Sequence, residues 1–136
     1  MQDGDLSTPY QYATEKPADD WTKEGFDDHA WKTGRAPFAN EGQARTPWAT
    51  PDVYLRKTFD FDGGDFKNGC GVIRHSDNTE IYINGQMILD PTKGARDFYI
   101  VTAELKKVLK KGVNTIAVHS HEGGRGQHID LAILVE

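Results

Sequence analysis

The alternation of apolar and polar residues is most regular in the middle of the chain, in the segment VYLRKTFDF at residues 53–61. Its period of two is the side-chain period of a β-strand, whereas an amphipathic helix repeats every 3.6 residues. The pattern predicts a half-buried strand with an apolar and a polar face, formed respectively by Val53, Leu55, Phe59 and Phe61 and by Tyr54, Arg56, Thr58 and Asp60.

A hairpin is predicted in EIYINGQMIL, where Asn84 and Gly85 lie between two apolar runs. A two-residue type I′ turn favours Asn-Gly because both central residues need positive φ. Residues 15–38 mix Pro, Gly, Asp and Trp without a helical period, so we expect an irregular segment pinned by its aromatic rings. Further strands are predicted in YQYAT, GCGVIRH, DFYIVT, NTIAVHSH and QHIDLAILV, and one short helix in AELKKVLKKG, ended by Gly112.

Six to eight strands with one short helix predict an all-β fold, an antiparallel β-sandwich. If successive strands are antiparallel, their connections alternate between the two ends of the sandwich. The loop before Val53 then meets the loops at residues 76–79, 90–96 and 122–126 at one end, which we call the loop end. The opposite end holds tight turns and the helix.

The loop end combines polar side chains with an aromatic ring, which suits a sugar because its hydroxyls need hydrogen-bond partners and its C–H face needs a flat apolar surface. We predict that Trp48 stacks on a sugar, that Arg96 and Arg125 fork onto hydroxyls or a carboxylate, and that the other groups bind from the side. The full predicted ligand-binding set is Trp48, Asp77, Arg96, His121, Arg125 and Gln127. The alternative is an ordinary solvated loop end. Trp21 and Trp31 are expected to be packing anchors.

Charge and hydropathy indicate which classes of binding partner are not expected for this chain. The net charge is -5 and the basic residues are scattered, so nucleic acid is not an expected partner. No apolar run approaches the ~20 residues that span a bilayer, so no membrane segment is expected.

Cys70 is the single cysteine and is interpreted as a small buried hydrophobe. Residues 1–9 are predicted to be a flexible leader and residues 10–136 a single β-sandwich domain. The acidic, polar start of the sequence is typical of a piece taken from a longer protein.

The histidines and carboxylates are candidates for metal binding and for nucleophilic catalysis. His119 and His121 share a strand face and His128 can approach from a neighbouring strand, a spacing that suits zinc, but no recognised motif supplies further ligands. A Ser/His nucleophile is unsupported because Ser120 points to the opposite face. No catalytic residue, metal or cofactor is therefore assigned. Acidic pairs in turns, such as Asp27 with Asp28, are potential ligands of a structural calcium ion, and this alternative stays open.

Four segments carry aromatic, acidic and glycine residues in a recognisable order. They comprise Trp21, Phe26, Asp27, Asp28 and Trp31; then Trp48, Asp52, Leu55 and Arg56; then Asp77, Glu80, Tyr82, Asn84 and Gly85; and finally His119, Gly123, Gly124, Gly126, Gln127, Ile129 and Asp130. From about Tyr10 onward the chain thus resembles the galactose-binding-like jelly-roll domains attached to bacterial glycoside hydrolases, which are frequent in Bacteroidetes and similar to the sugar-binding domain of the β-galactosidase family. Arg125 and His128 depart from the family pattern, which leaves the ligand's identity open.

The resemblance implies a non-catalytic carbohydrate-binding or accessory domain of a larger glycoside hydrolase, secreted or periplasmic. Its partners would be a glycan or oligosaccharide and an adjacent catalytic domain of the same chain. A bracing module between domains, without a sugar ligand, is the alternative. A small stand-alone glycosidase is the third reading, and against it the catalytic carboxylates of the resembled enzymes belong to a separate barrel.

Overall fold

The chain forms two β-sheets in the computed structural model. The structure describes residues 9–34, 50–61, 63, 79–87 and 106–121 with their side chains, and residues 38–39, 46–47, 69–75, 88–89, 99–100 and 128–135 by their backbone alone. The described strands are β1 (Tyr10–Ala13), β2 (Lys32–Gly34), β3 (Phe38–Ala39), β4 (Thr46–Pro47), β5 (Asp52–Phe61), β6 (Gly69–His75), β7 (Thr79–Ile83), β8 (Gln86–Leu89), β9 (Tyr99–Ile100), β10 (Gly112–His121) and β11 (His128–Val135).

The predicted all-β sandwich is confirmed. One sheet has the order β2-β1-β5-β10-β7-β8 and the other β4-β3-β11-β6-β9, and every described pair except β3 with β4 is antiparallel. Three short strands, β2 to β4, lie where the sequence predicted irregular structure. They are too short for a period of two to be recognised. Among the described residues, no helix has the length and apolar character needed to cross a membrane.

The Asn-Gly hairpin is confirmed, since Asn84 has φ 52° and Gly85 φ 83°. The Asn84 amide also donates to the Val108 carbonyl at 2.8 Å and to Asn114 Oδ1 at 2.9 Å. Residues 106–108 are helical, but Gly112 does not end that helix: it begins β10, with φ 97°. This end of the sandwich is thus tied together by the side-chain amides of half-buried Asn84 and buried Asn114.

The strand registers place the predicted loop end. His121 pairs with Asp52 at the start of β5, and Ser120 pairs with Thr79 at the start of β7. Ala13 pairs with Tyr54, so β1 also ends here. The start of β5, the start of β7 and the end of β10 therefore lie at one end of the six-stranded sheet, as strand alternation predicted.

The two faces of the six-stranded sheet are covered differently. The inner face, directed into the sandwich, carries an aliphatic core of Val53, Leu55, Ile81, Ile83, Ile116 and Val118. The outer face is buried as well around β5, where Tyr54 is 6% and Arg56 3% exposed. The predicted half-buried strand is therefore wrong for its first half, because residues 14–31 fold over the outer face. We call residues 14–31 the covering loop.

Candidate functional site

The covering loop is pinned to the sheet by Trp21. Its indole is 9% exposed and packs with Tyr54 and Ala117, while Phe26, Trp31 and Tyr82 close around this cluster. Tyr54 meets the indole edge-on at 5.3 Å between ring centroids, and Tyr82 does so at 5.9 Å. Such edge-to-face contacts stabilise aromatic clusters beyond the area they bury. Trp21 is thus the packing anchor that the sequence predicted.

Arg56 of β5 holds the covering loop from beneath. Its Nε donates to Asp28 Oδ2 at 2.8 Å, and its Nη1 donates to the carbonyls of Trp21 and Lys23. A planar guanidinium with five N–H groups can satisfy several acceptors at once, which a lysine ammonium cannot do in this geometry. The face of Phe26 also lies 5.1 Å from the guanidinium carbon. One buried cation therefore organises the loop.

The same contacts bear on the calcium hypothesis. Asp28 accepts from Arg56, and Asp27 accepts from both the backbone N–H and the ring of its neighbour His29. Both carboxylates of this acidic pair therefore already have partners. Within the part of the chain that the structure describes, no group of three or more His, Cys, Asp or Glu residues is arranged to hold a metal ion.

A histidine lies between two carboxylates at the loop end of the same face. His119 Nε2 is 2.8 Å from Asp52 Oδ1, and its Nδ1 is 2.8 Å from Glu80 Oε1. A neutral imidazole donates only one of these hydrogen bonds, whereas the protonated ring donates both. The ring lies flat against Tyr54, with centroids 4.4 Å apart and planes 6° apart. The side chain of His119 is 22% exposed, so the network borders on solvent.

His121 shares the Asp52 oxygen. Its Nδ1 lies 2.9 Å from Asp52 Oδ1, and its side chain is 51% exposed. Two imidazoles thus contact one carboxylate oxygen, with one ring packed and the other turned to solvent. His121 can therefore hydrogen-bond an external ligand while Asp52 holds it in place.

The carboxylates shift the pKa values of their neighbours. Partial burial raises the pKa of Asp52, but the hydrogen bonds and positive charge of His119 and His121 outweigh this and lower it below its ordinary value. Burial, the Glu80 charge and a hydrogen bond to Glu80 raise the pKa of Tyr82 to about 12. Burial and the nearby charges of Asp52 and Glu80 raise the pKa of Tyr54. Both phenols stay neutral at physiological pH.

The structure also bears on nucleophilic catalysis and on zinc. Ser120 is fully buried on the inner face, where its hydroxyl lies 2.9 Å from that of Thr79. It therefore points away from both histidines, as strand alternation predicted. The zinc hypothesis also used His128, whose backbone pairs with Ala39 but whose side chain lies outside the described residues.

Of the six predicted ligand-binding residues, the structure describes His121. The other five, Trp48, Asp77, Arg96, Arg125 and Gln127, fall outside the described residues, so their role stays a prediction. Sequence reasoning missed the pairing of His119 with Asp52 and Glu80. A signal was present, since alternation places Asp52 on the face of Tyr54 and His119 on the face of His121. The register that joins the two strands was missing.

Comparison with known proteins gives relatives by structure alone. No profile of a known protein family and no curated protein sequence matches the chain. A β-glycosidase from Bacteroides vulgatus superposes with a TM-score of 0.71 at 18% identity, covering 99% of this chain and 20% of the other. A glycosyl hydrolase family 2 member from Bacteroides cellulosilyticus DSM 14838 superposes with a TM-score of 0.72 at 17% identity, covering 99% of this chain and 21% of the other. A β-glucuronidase from Bacteroides uniformis superposes with a TM-score of 0.70 at 14% identity, covering 98% of this chain and 18% of the other.

These similarities establish the fold. The chain has the β-sandwich fold of one part of each of these glycosidases and spans about a fifth of their length. At such identities the shared architecture does not carry a shared activity or ligand.

Proposed function

We propose that this chain is a non-catalytic accessory domain of a larger glycoside hydrolase, secreted or periplasmic, and that it binds glycan weakly at its loop end. The observation that carries the proposal is the asymmetry of the structural match, which covers 99% of this chain but 20% of the Bacteroides vulgatus β-glycosidase. A domain that aligns over its full length with a small part of a glycosidase fits an accessory module.

The carboxylates at the loop end support a non-catalytic role. In most glycosidases two carboxyl groups flank the scissile bond, one of them acting as the acid. Here Asp52 and Glu80 flank the imidazole of His119, and each lies 2.8 Å from one of its ring nitrogens. The space between the two carboxylates is therefore filled by a side chain of the protein itself.

Glycan binding is proposed for the surface formed by Trp48, Asp77, Arg96, His121, Arg125 and Gln127. The exposed ring of His121, fixed by Asp52, supports it, since an oriented imidazole at the surface can donate to or accept from a hydroxyl. In this proposal Trp48 supplies the stacking ring and the two arginines supply forked donors.

Interdomain bracing predicts a contiguous exposed apolar patch. Among the side chains that the structure describes, the exposed large hydrophobic residues are Met87 and Val113. Met87 lies on β8 and Val113 on β10, with β7 between them. Two side chains on strands that are not neighbours give this alternative little support.

The test is an amide-resolved NMR titration of the chain with methyl glycosides and short oligosaccharides, together with an assay for turnover of chromogenic glycosides. We expect saturable shifts at residues 35–52, 76–79, 90–97 and 121–128 and no turnover. A flat response across the panel would remove the glycan-binding role and favour bracing. Turnover by this chain alone would contradict the non-catalytic assignment.

A further inference from the structure

A cavity of about 310 Å³ lies beside the edge of the six-stranded sheet. Its walls are the end of β1 with the start of the covering loop, residues 12–15, and the end of that loop with the start of β2, residues 30–32. Since Ala13 pairs with Tyr54 near the start of β5, the cavity opens at the loop end of this sheet. It was not among the surfaces that the sequence predicted.

The walls are held in place by backbone and side-chain bonds. Tyr12 pairs with Lys32 across the β1–β2 ladder. Gln11 bridges both walls, because its amide donates to the Asp28 carbonyl at 3.1 Å and its oxygen accepts from the Thr33 hydroxyl at 2.8 Å. The backbone N–H of Trp31 donates to the same Asp28 carbonyl at 2.9 Å. A ligand would therefore meet a site that is formed in advance, which lowers the entropic cost of binding.

Trp31 has two roles in this cavity. Its ring packs on Phe26 at 5.7 Å and on Trp21 at 6.5 Å between centroids, which fixes its orientation. The residue stays partly exposed and lines the cavity, so its ring is also available to a ligand. The sequence predicted a packing anchor, and the structure adds a place in the cavity wall.

The polar groups around the indole are uncommitted. Within the described part of the chain, the side chains of Thr14, Glu15 and Lys32 have no hydrogen-bond or ion-pair partner, and all three residues are exposed. They supply a hydroxyl, a carboxylate and an ammonium group beside an aromatic ring, which is the donor and acceptor set that sugar hydroxyls use. The charges of Glu15 and Lys32 cancel, so the cavity favours a neutral ligand over an anionic one.

We propose that this cavity is a binding subsite for a neutral pyranose unit, with Trp31 packing against the sugar and Glu15 and Lys32 hydrogen-bonding its hydroxyls. The proposal rests on the glycan-binding function above and assigns it a second, defined place. Ligand pockets in proteins range over about 300–1,000 Å³. The volume here is at the lower end of this range, which suits a single sugar unit.

The experiment measures Kd by NMR titration for methyl β-D-glucopyranoside, methyl β-D-galactopyranoside and methyl β-D-glucuronide. The variants are Glu15→Gln, Lys32→Ala and Trp31→Phe, and the matched controls Asp19→Asn and Lys16→Ala alter exposed charges of the same loop outside the cavity. For a neutral glycoside we expect Kd to rise about fivefold or more in Glu15→Gln and in Lys32→Ala, as when a charged hydrogen bond is lost. Trp31→Phe should raise it less, and the controls should leave it unchanged.

Three results would overturn the subsite. If the Kd for a neutral glycoside is the same for the wild type, Glu15→Gln and Lys32→Ala, the ligand binds elsewhere. The proposed function would then stand without this subsite. Tighter binding of the glucuronide than of the neutral glycosides would contradict the charge argument. Absence of any binding to the wild type would remove the subsite and the glycan-binding function together.

Discussion

The inner face of the six-stranded sheet and the outer face around the first half of β5 are both buried, but by different means. The inner face is aliphatic, and residues such as Leu55 and Ile81 are 2% and 0% exposed. The outer face is covered by an irregular loop held by the guanidinium of Arg56, an aromatic cluster around Trp21 and a histidine between two carboxylates. Apolar packing is insensitive to pH, whereas the outer layer depends on charge and hydrogen-bond geometry. The comparison teaches that an irregular loop can cover part of a sheet through an aromatic cluster that is kept in place by a buried cation and hydrogen bonds.

The largest effect is expected on the inner face. Leu55→Ala should lower the free energy of unfolding by about 4 kcal/mol, because the substitution leaves a cavity among rigid neighbours. Urea unfolding followed by tryptophan fluorescence measures this. The control Val113→Ala, at a residue that is 56% exposed, should change stability by less than about 0.5 kcal/mol. Equal effects of the two substitutions would contradict the assignment of the inner core.

Removal of the Arg56 guanidinium beneath the covering loop should cause the second-largest loss in the free energy of unfolding. Arg56→Ala leaves Asp28 and two loop carbonyls without their donor, so we expect a loss of about 3 kcal/mol in the same assay. Arg56→Lys keeps the charge but not the fork and should fall between the wild type and the alanine variant. Faster proteolysis within residues 14–31 of Arg56→Ala would locate the damage. A fully stable Arg56→Ala would contradict the role of the guanidinium.

The difference between the faces is also a difference in what the sequence predicts. Alternation in residues 53–61 assigns Leu55 and Tyr54 to opposite faces correctly, and Asn-Gly identifies the β7–β8 hairpin, because both signals are local. The burial of Arg56 was not predicted, since a charged residue on a polar face is normally solvated. Its burial depends on carbonyls 30 or more residues away.

The candidate site divides in the same way. The shared face of His119 and His121 follows from their spacing, but the contact of His119 with Asp52 spans 67 residues and requires the β5–β10 register. The cavity beside Trp31 requires β2, whose three residues are too few for a periodic pattern. Short strands and long-range registers are tertiary outcomes, so single-sequence reasoning misses them.

Acid should weaken the outer layer. The folded pKa of Asp52 lies below its ordinary value of about 3.9. The carboxylate's stabilising contribution is therefore fully present above the unfolded pKa and is lost as the pH falls through the folded pKa. Asp52→Asn should cost about 1 kcal/mol at pH 7 and less at pH 2–3, as measured by urea unfolding across this range. A stability difference that does not change with pH would contradict the pairing with the histidines.

Alkali gives the smallest effect. The pKa of Tyr82 is raised to about 12, so neutral Tyr82 stabilises the fold below the unfolded pKa of about 10, and this contribution is lost as the pH rises through 12. Absorbance at about 295 nm should show one tyrosine titrating near pH 12 that is absent from Tyr82→Phe. At pH 7 this variant should lose only about 0.5 kcal/mol. Titration of all tyrosines near pH 10 would contradict the burial of Tyr82 and its contact with Glu80.

The three tryptophans offer the most direct test of glycan binding at the loop end. With 5-fluorotryptophan incorporated and the signals assigned by single Trp→Phe substitutions, a 19F NMR titration with methyl β-D-glucopyranoside reports each ring separately. The account predicts saturable shifts of the Trp31 and Trp48 signals, with the signal of buried Trp21 unmoved as an internal reference. Unchanged signals from Trp31 and Trp48 at saturating glycoside would contradict glycan binding at this end of the sandwich.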